Sequence, residues 1–220
     1  MSSTLKPLQD CRLYTFVDTS YLDGRDPVDV ARQLCDGGAD ILQLRAKDLD
    51  FGQVRALAEH LLPVTQSAGV WLVINDHPKA ALQAGAPGCH LGQEDFFDAG
   101  YRAAAQVTGC PKEMILGLST HAPDQARRAL RVEPDYLAIG PVYATATKPG
   151  ALPVTLDYVR WAADHVQLPW FAIGGVNVET LDAVLEAGAR RVCVVSAILR
   201  APNIAGACQS FRQRLACVSL

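Results

Sequence analysis

Ile41-Leu42-Gln43-Leu44-Arg45-Ala46-Lys47 is a stretch with two unlike faces. Side chains alternate along a strand, so Gln43, Arg45 and Lys47 point one way and Leu42, Leu44 and Ala46 the other. The apolar face suits a covering layer of helices. The opposite face carries an amide and two cations, and a cation withdrawn from water is costly unless it is paired. Its partner is either a carboxylate of the protein or an anionic ligand, and this stretch alone leaves both open.

On either side of this strand lie two helical segments. Pro27–Cys35 carries Val28, Val30, Ala31 and Leu34 and stops at Gly37-Gly38; Phe51–Ala68 carries Val54, Leu57, Ala58, Leu61 and Leu62 and stops near Gly69. The same alternation runs through the chain. Further strands are expected at Leu13–Asp18, Val70–Ile74, Cys89–Leu91, Met114–Leu118, Tyr136–Ile139, Trp170–Ile173 and Val192–Val195. Further helices are expected at Lys79–Gln83, Ala99–Val107, Pro123–Val132, Leu156–His165, Val178–Ala187 and Ile204–Leu215. Gly38-Ala39-Asp40, Gly85-Ala86-Pro87 and Gly188-Ala189-Arg190 form a weak internal echo, each closing a helix and leading into an apolar strand. Eight strand–helix units in 220 residues favour an α/β fold of one closed (β/α)8 TIM barrel over an open doubly wound sheet. No charge block or linker marks a second domain, so residues 1–220 read as one barrel with residues 1–10 as a loose N-terminal extension.

The composition narrows the partners. A net charge of −3 gives no global reason to expect nucleic acid or a membrane surface. No apolar run approaches the roughly 18 residues of a membrane span, and Met1–Asp10 lacks an apolar signal core. The seven cysteines contain no C-x-x-C pair; Cys89 and Cys193 read as small buried hydrophobes in a reducing compartment, and the expected location is the cytoplasm. The five histidines show no H-E-x-x-H spacing. Small-molecule substrates are the partners expected, and a homo-oligomer is compatible with the sequence.

In such a barrel the reactive groups sit at the carboxyl ends of the strands. Arg45 and Lys47 follow strand two; arginine forks two hydrogen bonds onto phosphate oxygens and lysine adds a point charge. Asn75-Asp76 follows strand three and Gly92-Gln93-Glu94-Asp95 follows strand four. Two carboxylates from adjacent strand ends beside two cations suit Mg²⁺, which takes one or two carboxylates with waters and phosphate oxygens. The competing reading is that Asp76 and Asp95 pair with Arg45 and Lys47, or that Asp76 caps the next helix. Ser119 and His121 follow strand five without a G-x-S-x-G elbow, so Ser119 reads as a hydrogen-bond donor and His121 as a loop or cap residue. Gly140-Pro141-Val142-Tyr143-Ala144-Thr145-Ala146-Thr147-Lys148 offers hydroxyl, hydroxyl and cation as a phosphate grip. Gly174-Gly175 after strand seven and Val195-Ser196 after strand eight occupy the habitual phosphate site of this fold. Two anion sites follow, one fit for a diphosphate with a metal and one for a monophosphate.

Taken together, Q-L-R-x-K, I-N-D, H-L-G-Q-E-D, G-x-S-T-H, G-P-V-Y-x-T-x-T-K, A-I-G-G-V and V-V-S-A-I resemble thiamine-phosphate synthase, in register from about Leu13 to Phe211. The resemblance implies a transferase that joins 4-amino-5-hydroxymethyl-2-methylpyrimidine pyrophosphate to thiazole phosphate or its carboxylate, releasing pyrophosphate. It implies a dissociative route through a pyrimidinyl-methyl cation that the thiazole nitrogen traps. It implies that Gln43 and Ser119 contact the pyrimidine, that Arg45, Lys47, Asn75 and Lys148 hold the pyrophosphate, and that Asp76 and Asp95 bind Mg²⁺. Thr145, Thr147, Gly175, Val195 and Ser196 would hold the thiazole phosphate. Arg45, Lys47, Ser119 and Lys148 are then the residues expected to carry catalysis. Two departures stand out: Ala46 where that family frequently has Glu, and His77 where it frequently has Arg. The rival readings are a thiazole tautomerase-like isomerase, which typically lacks the paired aspartates and the Gln43-type amide, and a non-catalytic phosphate-binding barrel.

Overall fold

The computed structural model describes residues 4–109, 112–145 and 153–218. Eight strands close into one parallel barrel in chain order: β1 (Leu13–Asp18), β2 (Ile41–Arg45), β3 (Trp71–Asn75), β4 (Gly88–Gly92), β5 (Ile115–Thr120), β6 (Tyr136–Ile139), β7 (Trp170–Ile173) and β8 (Val192–Cys193), with β8 pairing back onto β1. Helices α1 (Pro27–Asp36), α2 (Phe51–Ala68), α3 (Pro78–Ala84), α4 (Gln93–Asp98), α5 (Ala105–Thr108), α6 (Pro123–Leu130), α7 (Thr155–His165), α8 (Leu181–Glu186), α9 (Ser196–Leu199) and α10 (Ile204–Ala216) lie between and after them. The expected TIM barrel is the fold observed.

Local chemistry explains the best-matched element. Asp50 and Gln53 form a reciprocal capping box that starts α2, and Val54, Ala58, Leu61 and Thr65 form its buried stripe. Two helices depart from expectation. The stretch 99–107 is not one helix: the chain folds first into α4, directly after β4, and only later into the single turn of α5. Between them the Ala104 N–H is drawn across to the Val132 carbonyl at 3.0 Å. Likewise α8 begins at Leu181, because Asn177 and Thr180 first close a side-chain turn. A short helix not expected, α9, precedes the last one.

The floor of the barrel is tied down by Asp40, which is almost fully buried. Its carboxylate accepts from the Arg12 and Leu13 backbone N–H groups at 2.7 and 3.0 Å and pairs with Lys6 at 3.0 Å and Arg212 at 2.8 Å. Of the loose extension expected over residues 1–10, residues 1–3 lie outside the described residues, and Lys6 and Leu8–Asp10 are anchored. Leu8–Asp10 forms a 3-10 turn, and the Lys6 carbonyl accepts from Trp71 Nε1 at 2.8 Å, so the segment is held by hydrogen bonds that its polar composition did not advertise.

The alternation read in Ile41–Lys47 holds through the register. Phe16 pairs with Gln43 and Asp18 with Arg45 across β1 and β2, Gln43 with Val73 across β2 and β3, and Gly117 with Tyr136 across β5 and β6. Tyr14, Tyr136 and Phe171 stack edge to face across the barrel with centroids 5.4–5.8 Å apart. Gly117 is what admits this cluster, since a Cβ there would lie 2.0 Å from Tyr136 Cζ.

Candidate active site

Above the aromatic layer, the carboxyl ends of the strands enclose two adjoining hollows. One is lined by Gln43 and Arg45 of β2, Lys47 beyond it, Asn75 of β3, Asp76, Asp95 of α4 and Ser119 of β5. The other is lined by Ser119, His121, Thr145, Gly174, Gly175, Val195 and Ser196. Ser119, Ala138, Ile173, Cys193 and Val195 belong to both linings and form the common wall. Every described residue proposed from sequence for the site therefore lies on one of these hollows. Thr147 and Lys148 lie outside the described residues.

The first hollow collects charge. Arg45 Nη1 lies 2.8 Å from Asp18 Oδ2, and Asp18 is only 1% exposed. The second oxygen of Asp18 accepts from the Ser20 N–H and hydroxyl at 3.1 and 2.7 Å. Asp18, which was not singled out from sequence, is thus the protein carboxylate that pairs with Arg45, in place of Asp76 or Asp95. Asp18 and Arg45 end their strands as register partners, and that pairing is the signal that identifies it. Lys47 Nζ stands 3.8 Å from Asp76 Oδ2, and its side chain is 63% exposed, so this pair is loose and open to solvent. Asn75 Nδ2 donates to the same Asp76 oxygen at 2.6 Å. The alternative role of Asp76 as a helix cap is not observed: His77 occupies the N-cap of α3 and makes no side-chain cap. Asp76 instead adopts a left-handed conformation, φ 61°, while its N–H donates to the His90 carbonyl at 2.9 Å.

Beneath the charges runs a line of buried polar side chains. Gln43 Nε2 donates to Tyr14 Oη at 2.8 Å, Tyr14 and Tyr136 hydroxyls are 2.8 Å apart, Tyr136 Oη meets His90 Nδ1 at 3.0 Å, and His90 Nε2 meets Ser119 Oγ at 2.7 Å. Burial lowers the His90 pKa to about 4 and raises both tyrosines well above their ordinary value. Tyr14, His90 and Tyr136 escaped the sequence reading because inward-facing aromatic side chains read as core, and in H-L-G-Q-E-D the acid drew the attention.

The second hollow is shaped by interlocked loops. Gly174 and Gly175 have φ of 97° and 67°, and a Cβ on them would lie 2.4 Å from Pro141 Cβ and 2.6 Å from Tyr143 Cβ. Val142 N–H and Tyr143 N–H donate to the Ile173 and Gly174 carbonyls at 2.8 and 3.0 Å, stitching the loop after β6 to the turn after β7. His121 anchors the rim through its Nδ1 and the Gly140 carbonyl, while its N–H donates to Gln125 Oε1 at 2.7 Å, in keeping with a loop role. Val195 and Ser196 open α9, whose first N–H groups have no partner within the helix.

The family model described as thiamine monophosphate synthase matches residues 13–198. This chain belongs to the thiamine monophosphate synthase family. A thiamine-phosphate synthase of Thermus thermophilus is 47% identical over 180 residues, covering 81% of this chain and 84% of its own. That of Lawsonia intracellularis is 36% identical over 207 residues, covering 94% and 93%. Among solved structures, thiamine phosphate pyrophosphorylase from Pyrococcus furiosus superposes with a TM-score of 0.82 at 24% identity, covering 95% of this chain and 97% of that one. A 3-hexulose-6-phosphate synthase superposes at 0.61 and 19% identity, covering 92% and 98%. At these identities the superpositions speak to the fold. As a family member the chain is a transferase of thiamine biosynthesis, and the isomerase and sensor readings are not favoured. No helix among the described residues is long and apolar enough to cross a membrane.

Proposed function

We propose that the two hollows hold the two substrates of thiamine phosphate synthesis. The pyrimidine pyrophosphate lies over Gln43, Arg45, Lys47, Asn75 and Ser119, and the thiazole phosphate or its carboxylate lies over Thr145, Gly175, Val195 and Ser196. The observation that carries this reading is the common wall. Ser119, Cys193 and Val195 line both hollows, so a carbon ionised in one is within reach of a nitrogen held in the other. Thr147 and Lys148 complete the grip by resemblance.

Asp76 and Asp95 are the residues that would hold Mg²⁺. Among the described residues no cluster of three or more His, Cys, Asp or Glu could hold a metal ion, but a magnesium that shares a diphosphate needs only one or two carboxylates. The local shape fits. Asp95 Oδ2 folds to within 2.6 Å of where a Cβ on Gly92 would sit, so the bare glycine makes the cradle beside Asp95. Bound Mg²⁺ would neutralise charge growing on the departing diphosphate.

The chain's own residues do the rest. Arg45, held by Asp18, and Lys47 take up the negative charge that develops as the C–O bond breaks. Asn75 donates to Asp76 and fixes the carboxylate. Ser119 and Gln43 orient the ring so that its methylene faces the common wall. The Cys193 thiol on that wall is held protonated by burial, which keeps a competing nucleophile quiet beside the cation. Cytoplasmic residence is part of this proposal, supported by the free cysteines among the described residues.

The deciding experiment supplies both substrates and Mg²⁺ to the purified protein and follows thiamine phosphate and pyrophosphate. Equal release of the two products is expected. Folded protein that releases neither overturns the proposal. In Asp76→Asn the Mg²⁺ concentration for half-maximal rate rises about tenfold or more, and an unchanged requirement removes Asp76 from the metal site.

A further inference from the structure

β1 pairs with β8 on one side and β2 on the other, so the loop after β1 stands between α9 and the loop after β2. Its near end is tied to the first hollow. Asp18 pairs with Arg45, and the Thr19 hydroxyl donates to Asp48, next but one to Leu49 and Lys47 in the loop after β2. Its far end is tied to α9. Asp18 caps the 3-10 turn Thr19–Tyr21, and Asp23 and Gly24, with φ of 50° and 81°, then reverse the chain so that the Arg25 N–H donates to the Leu22 carbonyl at 2.9 Å. The reversal carries the Arg25 guanidinium back over its own loop. Nε donates to the Leu22 carbonyl at 2.8 Å, and Nη2 donates to the Tyr21 carbonyl and, at 2.8 Å, to the Leu199 carbonyl at the end of α9. The planar fork of arginine thus serves two segments 174 residues apart in the chain. A reciprocal contact runs the other way. The Arg200 guanidinium, just past α9, lies over the buried Tyr21 ring, 5.0 Å from its centroid.

We infer that Arg25, seconded by Arg200 and Tyr21, is a positioning residue for the second hollow: it clasps α9 to the loop after β1 and so sets where Val195 and Ser196 meet the phosphate of the thiazole substrate. The inference rests on the synthase reading above, which lays that phosphate over Val195 and Ser196. Arg25 itself belongs to neither lining, so it acts through α9 and not on the substrate. The helix needs such a tie. It is a single turn, Ser196–Leu199, and one turn fixes several dihedrals for little hydrogen bonding in return. Its last carbonyls have no helical partner, and among the described residues no backbone N–H donates to that of Leu199. Arg25 fills that gap. Burial of Ile198 and Leu199 sets how deep the turn sits, but apolar contact is non-directional and leaves its rotation free. The hydrogen bond at its end is directional. Four residues of helix span only about 6 Å, so a shift at Leu199 carries through to Ser196.

The test compares two ligands on one protein. Calorimetry on the full chain measures thiazole phosphate, and pyrophosphate with Mg²⁺, without turnover. Arg25→Ala is expected to weaken thiazole phosphate about tenfold and to leave pyrophosphate within about twofold, since only the second hollow is displaced. Arg25→Lys keeps a donor for one carbonyl and is expected to return thiazole phosphate to within about threefold of wild type. Arg200→Gln, which loses an exposed cation–π contact, is expected to weaken thiazole phosphate about threefold. In turnover, Arg25→Ala is expected to raise KM for thiazole phosphate about tenfold while KM for the pyrimidine substrate stays within about twofold. Arg25→Ala with wild-type affinity for thiazole phosphate overturns the inference. So does an equal loss for both ligands, which is what a general loosening of the barrel gives. Circular dichroism and urea unfolding check that each variant is folded; if Arg25→Ala is not, Arg200→Gln carries the same comparison, and wild-type affinity for thiazole phosphate there overturns the inference. Absence of thiamine phosphate formation by wild type, with the selective loss of thiazole phosphate as expected, counts against the synthase reading alone. A wild type that forms thiamine phosphate beside an Arg25→Ala protein of unchanged KM values counts against the inference alone.

Discussion

Arg45 is held by Asp18 at 2.8 Å, and Asp18 has almost no access to water. Removing the guanidinium therefore does two things at once. It strips a cation from the diphosphate hollow, and it leaves a carboxylate buried with only Ser20 for company. Breaking a buried pair from one side costs about 3–5 kcal/mol, toward the lower end here because Arg45 keeps partial exposure. Arg45→Ala is thus expected to lower stability in urea by about 3 kcal/mol as well as turnover. Asp18→Asn keeps the volume and the hydrogen bonds to Ser20 but loosens Arg45. It is expected to cost less stability while reducing kcat/KM for the pyrimidine substrate about tenfold, and a variant with wild-type kinetics would show that Arg45 needs no orientation. The contrast shows what a sequence can carry at this scale. Arg45 and Lys47 were legible because a cation on an inward face calls for a partner. Which carboxylate answers depends on strand register, and Asp18 stands on a different strand, paired with Arg45 only once the barrel forms.

At the level of elements, the turn after β7 is a tightly constrained piece of backbone in the site. Gly174 has φ 97°, and a Cβ would meet Pro141 at 2.4 Å. Gly174→Ala combines a disfavoured conformation with a clash, and both displace the loop after β6 that carries Thr145. The expected result is a rise of about tenfold or more in KM for thiazole phosphate, with KM for the pyrimidine substrate much less affected; equal rises in both would mean that the two hollows are not separately built. Strands and the longer helices were readable because their evidence is spread over many residues: α2 has a cap, a stripe and a glycine stop, and its bounds agree with expectation. Short elements lack that redundancy. The helix α4 has only six residues, opens on a glycine that makes no side-chain cap and carries two acids in its first turn, so nothing in its composition distinguishes it from a loop. Its placement comes from outside the segment, from burial of Phe96 and Phe97 and the T-shaped contact between their rings.

Across the whole molecule, the barrel supports its site on a layer of buried polar side chains, and this ties stability to pH through His90. The folded protein holds His90 neutral down to about pH 4, whereas an unfolded histidine takes up its proton near 6.5. Above about 6.5 both states are neutral and the group contributes no pH dependence. Between 6.5 and 4 the unfolded chain binds a proton that the folded chain refuses, so stability is lost as the pH falls and is regained as it rises. Over that window the loss is about 3 kcal/mol, with a slope of at most about 1.4 kcal/mol per pH unit. Below about 4 the folded state binds the proton too, and this contribution levels off. Urea unfolding from pH 7 to 4 is expected to show this acid limb in the wild-type protein and a shallower one in His90→Gln, which retains a polar side chain facing Tyr136 and Ser119 without titrating. If the two slopes coincide, His90 is charging in the folded state well above pH 4, and a neutral imidazole between Tyr136 and Ser119 is not how this interior is held together.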